Sequence, residues 1–379
     1  MRRYILHRKF FATIILFIFT FIAIALVAQP NIIYVNGKIA FASNRDGHYE
    51  IYTMNLDGSQ VTRLTYTNAY ISSAEYPNWS PNGDYIAFKL FQYEANNVID
   101  DIYVMLANGS ELTNVTNSPE NEQYPVWSPD GNQFAFTRST DHGADIFIIN
   151  VDGSGLTKVV DGADNTYNLY PTWSPDGRRI AYISTEGLLA SGEYGGYFEL
   201  KTVDLITGEQ TVLGILDHYG KPDWSWSRNQ ITFYTNSTFY TAIGIINPDG
   251  TNRFLLSNET YPNQYPSYPR GDEDPVWSPD GSLITFDSSV YLDNDPNYYD
   301  RDIYVMNVDG TGVTNLTSGN TSEDIQPDWQ PIIVQIPPTP TATFTSTITP
   351  SPTLTPTATP LPAAAPSLYK WRTRSTGQP

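Results

Sequence analysis

The sequence predicts an all-β protein, a six-bladed β-propeller of four-stranded antiparallel blades, its ring closed by the C-terminal strand pairing with the N-terminal blade. Three observations carry this expectation. A Pro-x-Trp-Ser-Pro-Asp-Gly stretch recurs along the chain. A strand-like run that ends in Gly, mostly as Asp-Gly, follows the complete copies, and the first and last units are incomplete in complementary ways. A strand-rich unit repeated every 40–50 residues or so marks the blades of a propeller.

The repeat is clearest at 125–136, with copies starting at Pro77, Pro171 and Pro275, a degraded copy at Pro222 and a truncated one at Pro327. It aligns Trp79, Trp127, Trp173, Trp224, Trp277 and Trp329. The second element lies at 51–58, 102–109, 146–153, 200–208, 243–250 and 303–310. A third, short stretch ends near Leu64, Val115, Val159, Leu213, Leu255 and Leu316. These segments are short and rich in Ile, Val, Phe and Tyr, which favours strands over helices. The Asp-Gly pairs suit tight turns, because glycine tolerates positive φ.

The ends predict the closure. Ile39, Ala40 and Phe41 have no Pro-x-Trp segment before them, and Pro327-Asp328-Trp329 has no apolar partner strand after it. Pairing the last segment with the first completes a blade and removes an exposed sheet edge.

Connections after the Trp segment and at Asp-Gly are short. The others are long, at 89–101, 138–145, 184–199, 234–242 and 287–302 within blades and at 66–76, 161–170 and 257–274 between them. In a propeller both long classes emerge on one face. Variable loops on a regular scaffold are where recognition concentrates.

Residues 1–30 read as a signal peptide or N-terminal transmembrane anchor. Arg2, Arg3, Arg8 and Lys9 precede an apolar run over 10–27, long enough to span a hydrocarbon core of about 30 Å. Either reading exports the chain beyond residue 30: a membrane-anchored protein with its propeller outside the cytoplasm, or a secreted or periplasmic one if the segment is cleaved. The propeller is expected over 31–336. A Pro/Thr-rich disordered linker comes next at 337–366, then a short basic tail at 367–379.

The chain has no cysteine, which excludes disulfides, thiolate metal sites and a Cys nucleophile. Its net charge is −19, and all 40 acidic residues lie between basic ends. Such a body repels phosphate backbones, so nucleic acid is not an expected partner.

Ser43, Asn44, Arg45, Asp46 and Gly47, leading into the run at 51–58 and Leu64-Thr65, together with Trp-Ser-Pro-Asp-Gly at 127–131, 173–177 and 277–281, resemble the TolB-type, WD40-like propeller repeat. The resemblance covers about residues 37–331. It implies the fold and leaves the activity open, because the same repeat occurs in periplasmic TolB, in prolyl-oligopeptidase-like enzymes and in polysaccharide lyases. The α/β domain that precedes the TolB propeller has no counterpart in this sequence.

That scaffold narrows the candidate chemistry. The repeated Trp residues are expected to pack between blades, since each buries 150–250 Å² or so. No G-x-S-x-G nucleophile motif occurs. His48, His142 and His218 sit in long connections of different blades and are read as scattered surface histidines. Glu122, Asp272 and Asp324 each lie five residues before a blade Trp, near the channel mouth, where oxygen ligands could hold Ca²⁺; the other carboxylates there read as a solvated rim. Tyrosines crowd the long connections, and Tyr194, Tyr197, Tyr240, Tyr265, Tyr268, Tyr298 and Tyr299 are the expected binding residues for a protein or glycan. The expected function is a monomeric, cell-envelope-associated binding or scaffold module with no obligatory cofactor. The alternative is a lyase or glycosidase using carboxylates or His on the same face.

Overall fold

A computed structural model describes residues 31–336, apart from 68–71, 95–96, 187–196, 218–219, 237–240, 257–270, 292–298 and 320. The segments at 1–30, 337–366 and 367–379 therefore lie outside the described residues. Among the described residues no helix is long and apolar enough to cross a membrane.

The described chain is built of strands. The first are β1 (Asn31–Ser43), β2 (Glu50–Met54) and β3 (Thr62–Arg63). Then come β4 (Ser72–Trp79), β5 (Tyr85–Glu94), β6 (Asn97–Leu106) and β7 (Thr113–Asn114). The next set is β8 (Glu122–Trp127), β9 (Gln133–Thr140), β10 (Gly143–Asn150) and β11 (Thr157–Val160). After it stand β12 (Thr166–Trp173), β13 (Arg179–Glu186), β14 (Phe198–Asp204) and β15 (Gln210–Leu216). β16 (Asp223–Trp224), β17 (Ile231–Asn236), β18 (Thr241–Ile246) and β19 (Phe254–Leu255) form another. The last strands are β20 (Gly271–Trp277), β21 (Leu283–Tyr291), β22 (Tyr299–Asn307), β23 (Thr314–Asn315) and β24 (Asp324–Ile336).

Within each set, consecutive strands pair antiparallel in sequence order. The first set takes its inner strand from the other end of the chain, in the order β24-β1-β2-β3. The pairing runs from Asn31 opposite Ile336 to Ser43 opposite Asp324. Short parallel bridges, Gly143 with Thr166 and Thr241 with Gly271, link β10 to β12 and β18 to β20.

Local sequence explains the turns. After β8, the Ser128 N–H donates to the Gln133 carbonyl at 2.9 Å and the Gly131 N–H to the Ser128 carbonyl at 2.9 Å. Asp130 Oδ1 accepts from the Ser128 hydroxyl at 2.6 Å and from the Asn132 N–H at 3.1 Å. Gly131 has φ of 71°, a conformation glycine adopts without steric cost. The same Ser-Pro-Asp-Gly turn recurs after Trp173 and Trp277.

The second strand of each set is buried on both faces. Phe134, Ala135, Phe136 and Thr137 of β9 are all buried, so the strand cannot alternate between core and water. The apolar clusters lie between sets. Ala87, Ile102 and Val115 meet Trp127, Phe134 and Phe136 in one. Ala135 and Ile146 meet Trp173, Ile180 and Tyr182 in another. The last set meets the first through Val276 and Ile303 with Ile39, Phe41, Met54 and Trp329. The Trp residues are thus interset core, as their register predicts.

Candidate functional site

The inner strands share a distortion that their sequence encodes. Tyr76, Tyr124, Tyr170, Asp274 and Gln326, each three residues before the Trp and each followed by Pro, have φ of 55°, 58°, 55°, 49° and 57°. This left-handed conformation is uncommon for a residue with a side chain. It coincides with a break in register, such as Glu75 to Asn78 against β5 and Gln123 to Val126 against β9. A bulge re-aims the side chains on either side of it. The Tyr76 and Tyr124 rings meet edge to face at 4.7 Å, and Tyr124 lies 4.1 Å from Tyr170. With Lys221 these rings border a cavity of about 40 Å³, next to one of about 50 Å³ at the level of the Trp residues. Each has room for a few waters, far less than the roughly 300–1,000 Å³ of small-ligand sites.

The residue just before the Trp ties neighbouring sets together. Asn78 Oδ1 accepts from the Trp127 N–H at 2.9 Å, and Thr172 Oγ1 from the Trp224 N–H at 3.2 Å. Asp223 Oδ2 accepts from the Trp277 N–H at 2.8 Å, and Asp328 Oδ2 from the Trp79 N–H at 2.6 Å. Burial pushes the Asp328 carboxyl up to about 8, against the pull of its Trp79 hydrogen bond and with repulsion from Asp223. Burial likewise raises Asp223 to about 6, opposed by the Trp277 N–H and by Lys221.

Acidic residues near the expected channel mouth, the calcium candidates among them, are buried and partnered rather than solvated. Glu122, Asp272, Asp287 and Asp324 are buried. Glu122 lies 2.9 Å from Arg138 Nε, Asp324 2.8 Å from Arg45, and Asp287 2.7 Å from Arg301 Nε. Burial raises Glu122 to about 7, with Ser118 and Arg138 pulling the other way. A second group clamps the outer strands. Glu50 accepts from the Arg63 guanidinium at 2.7 Å and the Thr67 N–H at 2.6 Å. Asp101 and Asp302 do the same with Asn114 and Thr116, and with Asn315 and Thr317. The strands have taken these carboxylates from the surface because an acid beside an outer-strand Asn or Thr satisfies buried donors.

Glu122, Asp272 and Asp324, the expected calcium ligands, belong to different sets and are not brought together. Among the described residues no group of three or more His, Asp or Glu side chains could hold a metal ion. His48 Nε2 lies 2.7 Å from Glu50 Oε1, and the exposed His142 lies 3.9 Å from Asp164. His218 falls outside the described residues.

Tyr194, Tyr240, Tyr265, Tyr268 and Tyr298 also fall outside the described residues. Tyr299 lies on β22 opposite Tyr291. Tyr197, 76% exposed, is the expected binding residue whose side chain is described. It lines a cleft of about 420 Å³ between β11–β12 and β13–β14, with Asp161, Ser184, Glu199 and Lys201 among the other walls. The cleft opens at the 161–165 connection, on the side of the long loops. Lys201 Nζ lies 2.6 Å from Glu199 Oε2 and 3.4 Å from the Ser184 hydroxyl. Within the wall, the buried Asn168 Nδ2 and Thr185 Oγ1 have no hydrogen-bond partner, an expensive condition for buried polar groups. A volume of this size lies in the range of small-ligand sites, roughly 300–1,000 Å³. Here an exposed aromatic face, a cation, carboxylates and hydroxyls converge. Sequence reasoning named Tyr197 but missed Lys201 and Glu199, whose alternation along β14 was the available signal.

Solved structures share this architecture. TolB from Acinetobacter baumannii matches with a TM-score of 0.57 and 19% identity, over 78% of this chain and 66% of that one, so the match spans just under two thirds of that protein. A putative TolB from Agrobacterium tumefaciens matches with 0.54 and 19% identity, over 80% of this chain and 99% of that one. Hydrazine synthase from Kuenenia stuttgartiensis matches with 0.58 and 13% identity, over 80% and 48%. At these identities the likeness is one of fold alone. No curated protein matches the sequence. The TolB beta propeller domain matches residues 73–271, more than half of the chain, across the bulged inner strands and their Trp turns. The chain belongs to the TolB β-propeller domain family.

Proposed function

We propose that this chain is an exported, envelope-associated binding module, a six-bladed propeller that takes a protein or glycan on its loop-rich face. Six blades in a closed ring account for the sets of four strands, for the apolar cluster between the last set and the first, and for the Asp328 to Trp79 hydrogen bond. Residues 10–27 supply the export signal or anchor. The module acts as a monomer.

One observation carries the recognition role: the cleft beside Tyr197 is roomy, lies among the variable connections, and gathers polar groups around an exposed ring. An aromatic face next to hydroxyls and charges suits a saccharide ring or a polar peptide side chain. The axial cavities are too small to compete with it.

The test is capture from cell-envelope extract and from a glycan array by the full chain, beside Tyr197→Ala and Lys201→Ala. Both variants should lose most of the captured ligand while melting at the parent temperature. Undiminished capture by both would remove the cleft from the function.

A further inference from the structure

The two ends of the described chain form a ribbon that the blades do not need. β24 continues past its Trp where other inner strands turn, and β1 begins early to meet it, from Asn31 opposite Ile336 to Asn36 opposite Pro331. The ribbon sits on the short-turn side. Gln330 Nε2 donates to the Gly83 carbonyl at 2.8 Å and the Asp280 N–H donates to Asn36 Oδ1 at 3.2 Å, both within Trp-Ser-Pro turns. Tyr34 packs edge to face on Trp226, ring centres 5.6 Å apart. That contact fixes which face of the ribbon meets the body.

The opposite face is apolar and partly exposed, and beside Tyr34 its partner Ile333 is also 39% exposed. Ile33 stands opposite Val334 and Val35 opposite Ile332, and alternation along paired strands puts all four on one side. They are 46%, 42%, 42% and 44% exposed respectively. Exposed β-branched ribbons are liabilities that exported proteins normally blunt with charge or proline. This one bears neither on that face.

The neighbouring sequence names what covers it. Asn31 comes after the apolar segment 10–27 with three residues between them, a gap that spans at most about 14 Å when extended. A bilayer holding that segment lies within this distance of the ribbon. We infer that the Ile33, Val35, Ile332 and Val334 face rests on the lipid surface, so that the short-turn side faces the membrane and the Tyr197 side points away from it. This inference rests on the reading of residues 10–27 as a retained membrane anchor.

The chain has no cysteine, so single thiols can be labelled cleanly. Full-length Val334→Cys and Val35→Cys, with Tyr66→Cys on the loop-rich side as reference, would carry an environment-sensitive fluorophore. Each would be reconstituted in phosphatidylcholine vesicles; neutral lipid avoids repulsion by the turn acids Asp84, Asp130 and Asp176. Labels at 334 and 35 should emit blue-shifted and be quenched several-fold more by nitroxide lipid than the label at 66. Vesicle-bound chains in which all three labels stay equally water-exposed would overturn the inference while leaving the anchor standing. Chains that fail to float with vesicles would overturn the anchor reading, and the inference with it. Energy transfer between 334 labels on separate chains, undiminished on dilution with lipid, would make a second copy the occupant and refute the lipid contact.

Discussion

The Asp328 carboxylate accepts the Trp79 backbone N–H at 2.6 Å, joining residues 249 positions apart. Asn78 performs the same task for Trp127 at 2.9 Å without a charge. The role therefore needs an acceptor at that register and not an anion. At this junction the anion is costly, because Asp328 is buried and repelled by Asp223.

That cost gives a pH dependence with a definite sign. Asp328 rises from 3.8 to about 8 on folding, and Asp223 to about 6. Between those limits the folded chain holds protons that the unfolded chain has released. Their contribution to stability is therefore complete at low pH and is lost as pH rises through the folded values. Asp328→Asn keeps the acceptor and removes the titration. It should raise stability at pH 8 by on the order of 1–3 kcal/mol and flatten the profile between pH 5 and 8 or so. Denaturant melts across that range would check it; a variant no more stable than the parent at pH 8 would refute the assigned cost.

The proposed closure predicts a large loss on truncation. A chain ending at Gln326 keeps every outer strand but loses Trp329 from its cluster with Ile39, Phe41 and Met54, and bares an edge of β1. Removing a buried Trp alone costs about 3–5 kcal/mol. The truncated chain should melt far lower and without a single cooperative transition, as read by calorimetry. Unchanged melting would mean that the last strand is not part of the ring.

Gly143 bears on the cleft. Its φ is 151°, and a Cβ there would lie 2.0 Å from the Thr166 carbonyl oxygen, backbone that cannot step aside cheaply. Gly143→Ala should force the β10–β12 bridge apart and destabilise the protein by about 1–3 kcal/mol. It should also weaken ligand capture, because Thr166 and Asn168 line the cleft. Stability and capture close to those of the parent would show that the bridge does not shape the site.

The strand sets were legible because their signals are local and repeated. Trp127 and Gly131 each report a turn, and the missing halves around Ile39 and Trp329 report each other. The recurring Tyr-Pro pairs at Tyr76, Tyr124 and Tyr170 were also visible, yet their left-handed bulge was not, because a residue before proline ordinarily prefers extended backbone. The partners of Glu50 and Asp101 were not visible for a related reason: the Thr65 and Thr116 hydroxyls that they hold lie 15 residues further along the chain, so the sequence alone does not pair them. The cleft depends on side chains from five strands, β11 to β15, and their connections meeting at one place, which no single stretch of sequence encodes.

Glu122 offers the sharpest contrast between a structural and a metal-binding carboxylate. Arg138 Nε lies 2.9 Å away, and neither side chain is well exposed. Removing one member of a buried pair strands the other and costs about 3–5 kcal/mol, whereas replacing both with fitting neutral groups costs far less. Arg138→Met should therefore be strongly destabilising, and adding Glu122→Gln should recover much of the loss. Because Glu122 sits at about 7 even beside Arg138, the Arg138→Met defect should ease on acidification from pH 8 to 6 or so, where protonation neutralises the stranded acid. Melting of the two single variants, the double variant and the parent at both pH values closes the cycle. Stabilisation of the parent by added calcium that vanishes in Glu122→Gln would instead mark this carboxylate as an ion ligand.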